Sequence, residues 1–358
     1  MPAVDLQLLS GRNVRILAVK LSSFGDVIHA TGAFRALRNS LQEAEIVLAV
    51  EQRWADAVRY NPNLTSLIES SSCDRVSLRY LAEIRRNISI HCAIHGPFDV
   101  AIDFQGNRRS AAWVYMSGAP IKLGRGRYRP GWRLAMQPDA GRHAVEVCAD
   151  ICRRAGISSD NFDPEIRTST RDEQSLDAVL ETAGAARTGF VLVNPFSRWK
   201  SKSWPDQNVT EFVQRLAQSF NFPVILTGGI EDRPRAELIL PQLHPRKVTS
   251  LVGHLSLGQA LCLYRRARLM VSCDSGPMHA AAAFGVPVVA LFGPTFPERT
   301  GPWGPNHRVL QALRPPEHAA YRTDFAGVYM RALDTRTVFN AVAEILSSEF
   351  APACQSAV

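Results

Sequence analysis

Residues 14–41, VRILAVKLSSFGDVIHATGAFRALRNSL, contain the pattern that decides the fold. The first seven residues form a short apolar run with several β-branched side chains, which predicts a buried strand. SSFGD then predicts a turn, and from Val27 onward apolar residues recur at helical spacing. A strand, a tight turn and a helix in this order form the first half of a βαβ unit. The segment therefore predicts an α/β fold with a parallel sheet.

The same rhythm of strand and helix continues along the chain and then restarts in its second half. Buried strands are predicted at 46–50 and 99–104, and again from 190 onward, while the interval between the halves is polar and lacks a strong strand signal. A chain of 358 residues is long enough for two domains. We predict a first Rossmann-like domain at 1–165, a linker at 166–187, a second Rossmann-like domain at 188–334, and a C-terminal helix within 335–358.

Charge and cysteine content restrict the class of protein. The formal net charge of +8 indicates anionic partners, such as phosphates, nucleic acid or an anionic membrane surface. Seven scattered cysteines without a CxxC pair are typical of reduced thiols rather than of zinc or disulfide frameworks. The N-terminus does not resemble a signal peptide, and no apolar run is long enough to span a membrane. We expect a cytoplasmic protein.

The positive charge is concentrated between residues 108 and 142. The segment has one acid, Asp139, and eight basic residues: Arg108, Arg109, Lys122, Arg125, Arg127, Arg129, Arg133 and Arg142. One interpretation is an ordinary solvated surface, because charge runs usually have that role. The other is a binding site for an anionic ligand, since the arginine fork suits phosphate.

The first candidate site is the turn KLSSFGDVIH at 20–29. Ligands of open α/β sheets bind beyond the carboxyl ends of the strands, where this turn lies. Asp26 fits the N-cap of the following helix, a position that aspartate favours. It also fits a carboxylate that takes a proton from an acceptor hydroxyl. A helix N-terminus stabilises the carboxylate, so such a base would be weak and would act late in the reaction.

Two further candidate sites lie in the second half. The stretch NPFSRWKSKSWP at 194–205 follows a predicted strand, and Ser197, Arg198, Lys200 and Lys202 could contact phosphate oxygens there. The stretch VSCDSGPMH at 271–279 predicts a strand end followed by a helix start. The helix N-terminus with its free N–H groups favours an anion, and a glycine lets a diphosphate approach the backbone. The residues concerned are Asp274, Ser275, Gly276 and His279, of which the histidine could equally be structural.

The sequence lacks the motifs of several other classes of enzyme. No complete GxGxxG follows a first strand, which disfavours a dehydrogenase, and no GxxxxGK[ST] indicates a P-loop NTPase. No DxD motif or ligand cluster predicts a metal, and no cofactor is expected.

The three sites, in this order and spacing, resemble one family: the bacterial ADP-heptose:lipopolysaccharide heptosyltransferases, glycosyltransferase family 9. The resemblance covers about residues 13–345. Its most specific segments are KLSSFGDVIHA, DFQG at 103–106, KSWP at 202–205 and SCDSGPMHAAAAFGVPVVALFGPT with the trailing PERTGPWG. The resemblance implies a GT-B fold, in which two Rossmann-like domains face a central cleft. The C-terminal helix is then expected to pack back on the first domain.

The resemblance also implies roles for individual residues. Asp26 matches the catalytic base, and Lys202 matches a lysine that contacts the donor. The other donor-binding matches are Ser197, Arg198, Asp274, Ser275, Gly276 and His279, with Glu231 as a looser match for the ribose ligand. Acceptor binding is assigned to Ser23, Arg108, Arg109, Arg125, Arg127 and Arg129.

The activity so implied is inverting transfer of heptose from ADP-heptose to the lipopolysaccharide inner core, with lipid A–Kdo as the acceptor. The partners would be the donor, a phosphorylated lipid-linked saccharide and the inner face of the inner membrane. Gly32 and Phe296 depart from the family pattern, where a proline and an acid are common. A transferase with another acceptor or nucleotide sugar, and an inactive sugar-nucleotide-binding module, stay open. A nucleic-acid-binding protein is disfavoured because no recognised binding motif is present.

Overall fold

The computed structural model describes residues 4–126, 132, 134–136, 141–243, 247–317 and 327–348. The chain divides into two compact units, Met1–Arg167 and Thr168–Val358. Each unit is an α/β domain with its own parallel sheet. Among the described helices, none combines the length and the apolar character needed to cross a bilayer.

The first domain contains a six-stranded sheet with the order β3-β2-β1-β4-β5-β6. All five pairings are parallel. Its strands are β1 (Arg15–Val19), β2 (Glu45–Glu51), β3 (Ser66–Ser70), β4 (Val100–Asp103), β5 (Ile121–Arg125) and β6 (Leu134–Met136). Its helices are α1 (Phe24–His29), α2 (Thr31–Ser40), α3 (Leu78–His95), α4 (Arg108–Met116) and α5 (Ala144–Arg154).

The second domain repeats this topology. Its six-stranded parallel sheet has the order β12-β11-β10-β7-β8-β9. The strands are β7 (Val191–Asn194), β8 (Val224–Leu226), β9 (Val248–Ser250), β10 (Leu269–Cys273), β11 (Val288–Leu291) and β12 (His307–Leu310). The helices are α6 (Thr170–Thr182), α7 (Asp206–Ser219), α8 (Arg233–Ile239), α9 (Leu257–Arg266), α10 (Gly276–Ala283), α11 (Pro297–Thr300), α12 (Val328–Arg331) and α13 (Thr335–Ser348).

Both sheets reverse their winding direction beside their first strand. In the first domain this point lies between β1 and β4, and in the second between β7 and β10. Such a topological switch point opens a crevice at the carboxyl ends of the strands, where α/β proteins bind ligands. The turn after β1 and the turns after β7 and β10 are the three candidate sites. The topology therefore places each of them at a switch point.

The segment predicted as a linker is in fact mostly helical. Helix α6 occupies residues 170–182, and its buried Leu176 and Leu180 lie one turn apart. Arg266 at the end of α9 donates hydrogen bonds to Glu173 and Asp177 of α6. The sequence favoured a helix only over 175–182 of this segment, because the first residues of α6, 170–174, are all polar. It belongs to the second domain, which begins at Thr168.

The C-terminal helix contributes to the core of the second domain. Val338, Val342 and Leu346 recur every four residues on one face of α13, and all three are buried. They belong to the same hydrophobic cluster as Val209 and Phe212 of α7. These contacts give no support to the expectation that this helix packs back on the first domain, which stays a prediction.

The packing around Gly32 explains why this chain has glycine where a proline is common in the family. A Cβ atom at this position in α2 would lie 1.9 Å from the carbonyl oxygen of Phe162 and 2.8 Å from that of Asp163. Both obstacles are backbone atoms, which cannot rotate away. Glycine is therefore required because another segment of the first domain passes directly over the helix.

We expect Gly32→Ala to lower the free energy of unfolding by about 1–3 kcal/mol or more, as overpacking does in other cores. Urea unfolding followed by circular dichroism measures the effect. Asn39→Ala is the matched control, because Asn39 is exposed on the same helix. Equal stabilities of the two variants would contradict the close approach at Gly32.

Candidate functional site

The loop after β1 holds Asp26 at the carboxyl edge of the first sheet. Its Oδ2 accepts hydrogen bonds from the Ser23 backbone N–H at 3.1 Å and from the Ser23 hydroxyl at 2.6 Å. Ser23 is the N-cap of α1, so Asp26 lies inside the first turn rather than at the cap itself. Its side chain is 45% exposed. The carboxylate is thus held in place by its neighbours and still accessible to a ligand.

Lys20 lies directly beneath Asp26. Its Nζ atom is 3.9 Å from Asp26 Oδ1 and donates a hydrogen bond to the Phe104 carbonyl at 3.2 Å. The lysine side chain is 5% exposed. A buried cation therefore lies beside the Asp26 carboxylate. Cys148 is close enough to be influenced by both charges, but burial raises the pKa of its thiol, which argues against a thiolate nucleophile.

The DFQG segment at 103–106 fixes the backbone of this loop. Gln105 Oε1 accepts hydrogen bonds from the N–H groups of Leu21 at 2.7 Å and Ser22 at 3.1 Å. Asp103 is fully buried, and its Oδ1 accepts the N–H groups of Gln105 and Gly106 at 2.9 and 2.8 Å. The resemblance of this segment to the family therefore has a structural reason, since it supports the loop that contains Asp26.

Arg109, predicted to bind the acceptor, is engaged inside the first domain. Its Nη1 atom is 2.6 Å from Glu51 Oε1, and its Nη2 donates to the Ser22 hydroxyl at 3.1 Å. Glu51 is fully buried and also pairs with Arg53 at 2.7 Å. Arg109 thus shares one carboxylate with Arg53, and its hydrogen bond to Ser22 braces the loop next to Asp26. Direct contact with an acceptor stays a prediction.

The basic segment 108–142 is less uniform than its sequence indicated. Arg142 pairs with Glu146 and Asp150 of α5 at 3.3 and 3.6 Å, and Lys122 donates to the Ala119 carbonyl. The two acids that pair with Arg142 lie outside the segment 108–142, so counting the acids within the segment does not reveal them. Exposed Arg108 and half-buried Arg125 form no ion pair with a described residue. Arg127 and Arg129 lie outside the described residues.

In the second domain, Lys202 and Asp274 come together at the switch point. Lys202 Nζ lies 2.7 Å from Asp274 Oδ2, which also accepts the Thr295 hydroxyl at 2.7 Å. Asp274 is 4% exposed and the Lys202 side chain 15%. The buried Asp274 carboxylate thus fixes the position of the Lys202 ammonium group, and the lysine side chain is still partly exposed to solvent. An ammonium group at this edge is suited to charge-assisted hydrogen bonds with an anionic ligand.

Hydrogen bonds between Ser197 and Ser203 join the two ends of the loop that contains Lys202. The Ser203 hydroxyl accepts a hydrogen bond from the Ser197 N–H at 3.0 Å and donates to its carbonyl at 3.3 Å. The Trp204 indole donates to the Leu333 carbonyl at 2.9 Å, which anchors the loop in the core. Half-buried Ser197 therefore lies near the loop's base, whereas Arg198 and Lys200 are exposed.

The N-terminus of α10 lies at the same edge. Its N-cap is Ser275, but the Ser275 hydroxyl donates to the Cys273 carbonyl at 3.2 Å and does not cap the helix. The first N–H groups of a helix have no acceptor within it, so the backbone at Ser275 and Gly276 is suited to an anion. Asn194, at the end of β7, donates to the Ser275 hydroxyl at 3.5 Å. Its buried Oδ1 accepts no hydrogen bond from a described residue.

The remaining predicted donor residues lie nearby in the fold. His279 is 7% exposed in the first turns of α10. Glu231 is exposed after the end of β8, the neighbour of β7, and Asp232 rather than Glu231 accepts the Gly229 N–H, at 2.9 Å. Glu231 is thus on the correct edge of the sheet and is not used by the local turn.

No cluster of three or more His, Cys, Asp or Glu side chains that could hold a metal occurs within the described residues. The two edges differ in chemistry. The first presents an accessible carboxylate over a buried lysine, which suits proton removal from a hydroxyl. The second presents a lysine and a helix N-terminus, which suit a diphosphate.

Sequence reasoning missed the supporting residues. Glu51, Thr295 and Asn194 were not assigned roles, although each follows or ends a strand at a carboxyl edge. Position relative to the predicted strands was a usable signal for Glu51, which ends the second strand. The partnership of Thr295 with Asp274 had no local signal, because 21 residues separate them.

Comparison with known proteins supplies the context for these two edges. The family model described as glycosyltransferase family 9 (heptosyltransferase) matches residues 91–329, more than half of the chain. The chain is 32% identical over 339 residues to lipopolysaccharide heptosyltransferase 2 of Escherichia coli (strain K12), covering 89% of this chain and 94% of that protein.

Solved structures agree on the fold. The glycosyl transferase family 9 protein from Veillonella parvula DSM 2008 superposes with a TM-score of 0.85 at 22% identity, covering 94% of this chain and 98% of that chain. E. coli heptosyltransferase WaaC with ADP superposes with a TM-score of 0.72 at 22% identity, covering 93% and 100%. The predicted GT-B fold class, with a Rossmann-like domain in each half, is confirmed.

Proposed function

The chain belongs to glycosyltransferase family 9, and we propose that it is an inverting, metal-independent heptosyltransferase that uses ADP-heptose. The acceptor we propose is the lipid A–Kdo inner core of lipopolysaccharide. As a member of this family the protein is a glycosyltransferase enzyme. The observation that carries the proposal is the Lys202–Asp274 pair beside the uncapped start of α10, because this arrangement fits a sugar diphosphate.

The donor diphosphate is proposed to bind at the carboxyl edge of the second sheet. Lys202 would contact its phosphate oxygens, and the N–H groups at Ser275 and Gly276 would approach them from the helix N-terminus. Ser197 and Arg198 are proposed to add polar contacts from the neighbouring loop. As the bond to the sugar breaks, negative charge grows on the diphosphate, and donors already fixed in place stabilise it. Glu231 and His279 are proposed donor contacts at the same edge.

Asp26 is proposed to accept the proton of the acceptor hydroxyl as that oxygen attacks the anomeric carbon. The attack displaces ADP, which takes the bonding electron pair, and an inverted glycosidic bond forms. The hydrogen bonds from Ser23 hold the carboxylate in one orientation, and the Lys20 ammonium lies beside it. The fixed orientation reduces the entropy that is lost at the moment of reaction.

Phosphates of the acceptor are proposed to bind the arginines that have no acid beside them. Arg108 and Arg125 satisfy this condition within the described residues, and Arg127 and Arg129 are included from the sequence. Ser23 is proposed to contact the acceptor near Asp26. Arg109 is also proposed as an acceptor contact, although its guanidinium pairs with Glu51 inside the first domain.

A panel of nucleotides tests the donor assignment. We expect ADP and ADP-heptose to raise the melting temperature of the protein more than UDP, GDP or their sugars. A ligand at about 100 times its dissociation constant adds about 2.7 kcal/mol of stability. The measurement is a thermal shift series at matched nucleotide concentrations with EDTA present. A larger shift with UDP or GDP than with ADP would contradict the donor and favour a family member with another nucleotide sugar.

A further inference from the structure

Helix α3 presents an outward face that combines exposed aliphatic side chains with arginines. Its inward face is fixed by Tyr80, Ile84 and Ile88, which recur every four residues and are 3%, 0% and 5% exposed in the first domain's core. Ile90 and Ile94 flank that inward face on one side of the helix and are 55% and 70% exposed, and Leu78 in the first turn, on the other side, is 86% exposed. A helix of 18 residues is about 27 Å long, so its outward face is an extended surface.

The arginines of this face differ from most others in the first domain. Arg79, Arg85 and Arg86 are exposed, and none forms an ion pair with a described residue. Elsewhere in the domain ion pairs with acids neutralise many arginines: Arg15, Arg35, Arg53, Arg59, Arg109, Arg142, Arg153, Arg154 and Arg167. The single acid of α3, Glu83, accepts the Ser71 N–H at 2.6 Å and so turns towards the preceding loop.

Two of these arginines, Arg79 and Arg86, lie on the same side of the helix as Ile90 and Ile94, and Arg85 lies on its other flank. Arg86, Ile90 and Ile94 follow each other at intervals of four residues, which places them in one row along the helix. Arg79 lies two turns before Arg86 on the same side. Long arginine side chains beside exposed isoleucines are typical of helices that lie in a membrane interface, where the apolar groups enter the acyl boundary and the cations meet phosphate.

We propose that the outward face of α3 docks on an anionic lipid surface. A second copy of the chain is the alternative occupant, but a two-fold contact through this face would bring the unpaired arginines of both copies together. An anionic surface instead attracts them, each contributing roughly fivefold in affinity. Only the biological role of this docking rests on the proposed function, because an enzyme that acts on a lipid-linked acceptor must work near the bilayer.

The position of α3 suits that role. The helix begins after β3, at the carboxyl edge of the sheet, and the loop before it touches the site: the Cys73 carbonyl accepts a hydrogen bond from Arg109. Docking along α3 would lay the length of the helix on the lipid headgroups: Arg79, in its first turn, lies at the carboxyl edge that also holds Asp26, whereas Ile90 and Ile94 lie in its last turns, towards the amino edge.

Vesicle sedimentation of the full chain tests the proposal. Vesicles of phosphatidylcholine alone are compared with vesicles that also contain phosphatidylglycerol, at low and high salt. The wild type should bind only the anionic vesicles, and salt should weaken the binding. Arg79→Gln/Arg85→Gln/Arg86→Gln should lose about a hundredfold in affinity. Ile90→Ser/Ile94→Ser should lose at least about tenfold.

Leu8→Ser/Leu238→Ser is the matched control, because these leucines are 76% and 68% exposed outside α3, and it should bind like the wild type. Equal binding by all variants, or no binding to anionic vesicles, would overturn the proposal. The proposal would also be overturned if the wild type is a dimer and Ile90→Ser/Ile94→Ser converts it to a monomer without changing its binding to vesicles.

Transfer to a detergent-dispersed acceptor separates this proposal from the enzymatic one. Without vesicles, both α3 variants should transfer sugar at the wild-type rate. If the wild type binds anionic vesicles through α3 and yet transfers no heptose, the proposed function fails and the docking surface stands. If all proteins transfer heptose and none binds vesicles, the docking surface fails and the proposed function stands.

Discussion

Replacing Asp26 by asparagine is expected to lower kcat by about 10²–10⁴-fold, the usual contribution of general-base assistance. The affinity for the donor nucleotide should stay within about twofold, because the predicted donor contacts lie in the other domain. Asparagine retains an oxygen that can accept the Ser23 N–H, so the first turn of α1 keeps its hydrogen bond. Steady-state transfer rates and calorimetric ADP binding measure the two quantities.

The control for this variant is Asp56→Asn. Asp56 is a carboxylate of the same domain whose side chain is also 45% exposed, and it pairs with Arg59 rather than with Ser23 or Lys20. It should leave kcat unchanged. If Asp26→Asn transfers sugar at the wild-type rate, Asp26 has only its structural role in the first turn of α1.

Replacing Lys202 by alanine is expected to weaken donor binding by about 10–100-fold. A charge-assisted hydrogen bond contributes about 1.5–3 kcal/mol, and the ammonium is aimed by Asp274 at the edge where we place the diphosphate. The transfer rate should also fall, since charge on the leaving diphosphate loses its partner. Calorimetric titration with ADP gives the affinity of each variant.

Two further variants isolate that effect. Lys200→Ala removes an exposed lysine from the same loop and should leave the affinity within about twofold. Lys202→Ala also strands the buried Asp274 carboxylate, which is destabilising, so thermal unfolding must show that the variant is folded during titration. Lys202→Arg keeps the charge and should recover part of the affinity. Equal losses from Lys200→Ala and Lys202→Ala would mean that the wrong lysine was assigned.

The sequence predicted the parts of the fold that carry local signals. Buried strands followed by glycine-containing turns are visible in 14–26 and 269–276, and both are strand ends in the structure. Helix α6 was predicted only in its second half, 175–182, because its buried side chains, Leu176 and Leu180, both lie there. Helix α3 was missed, since its exposed isoleucines blur the helical period of its buried face.

Partnerships over long sequence distances could not be predicted. Glu51 pairs with Arg109 across 58 residues, and Asp274 pairs with Lys202 across 72. Only the strand order brings these pairs together, and neither composition nor spacing specifies that order. This is why the basic segment 108–142 resembled a continuous anion-binding surface, although Arg109 and Arg142 are already paired.

Direct transfer tests the central claim, that this chain moves heptose from ADP-heptose with Asp26 as its base. The protein is incubated with ADP-heptose and a heptose-free lipid A–Kdo acceptor in EDTA, and ADP release and the acceptor mass are followed together. The account predicts that the acceptor gains one heptose for each ADP released, and that Asp26→Asn shows almost none of either. Heptose transfer that stops in EDTA and returns with Mg²⁺, or an acceptor mass that increases only with another nucleotide sugar, would contradict it.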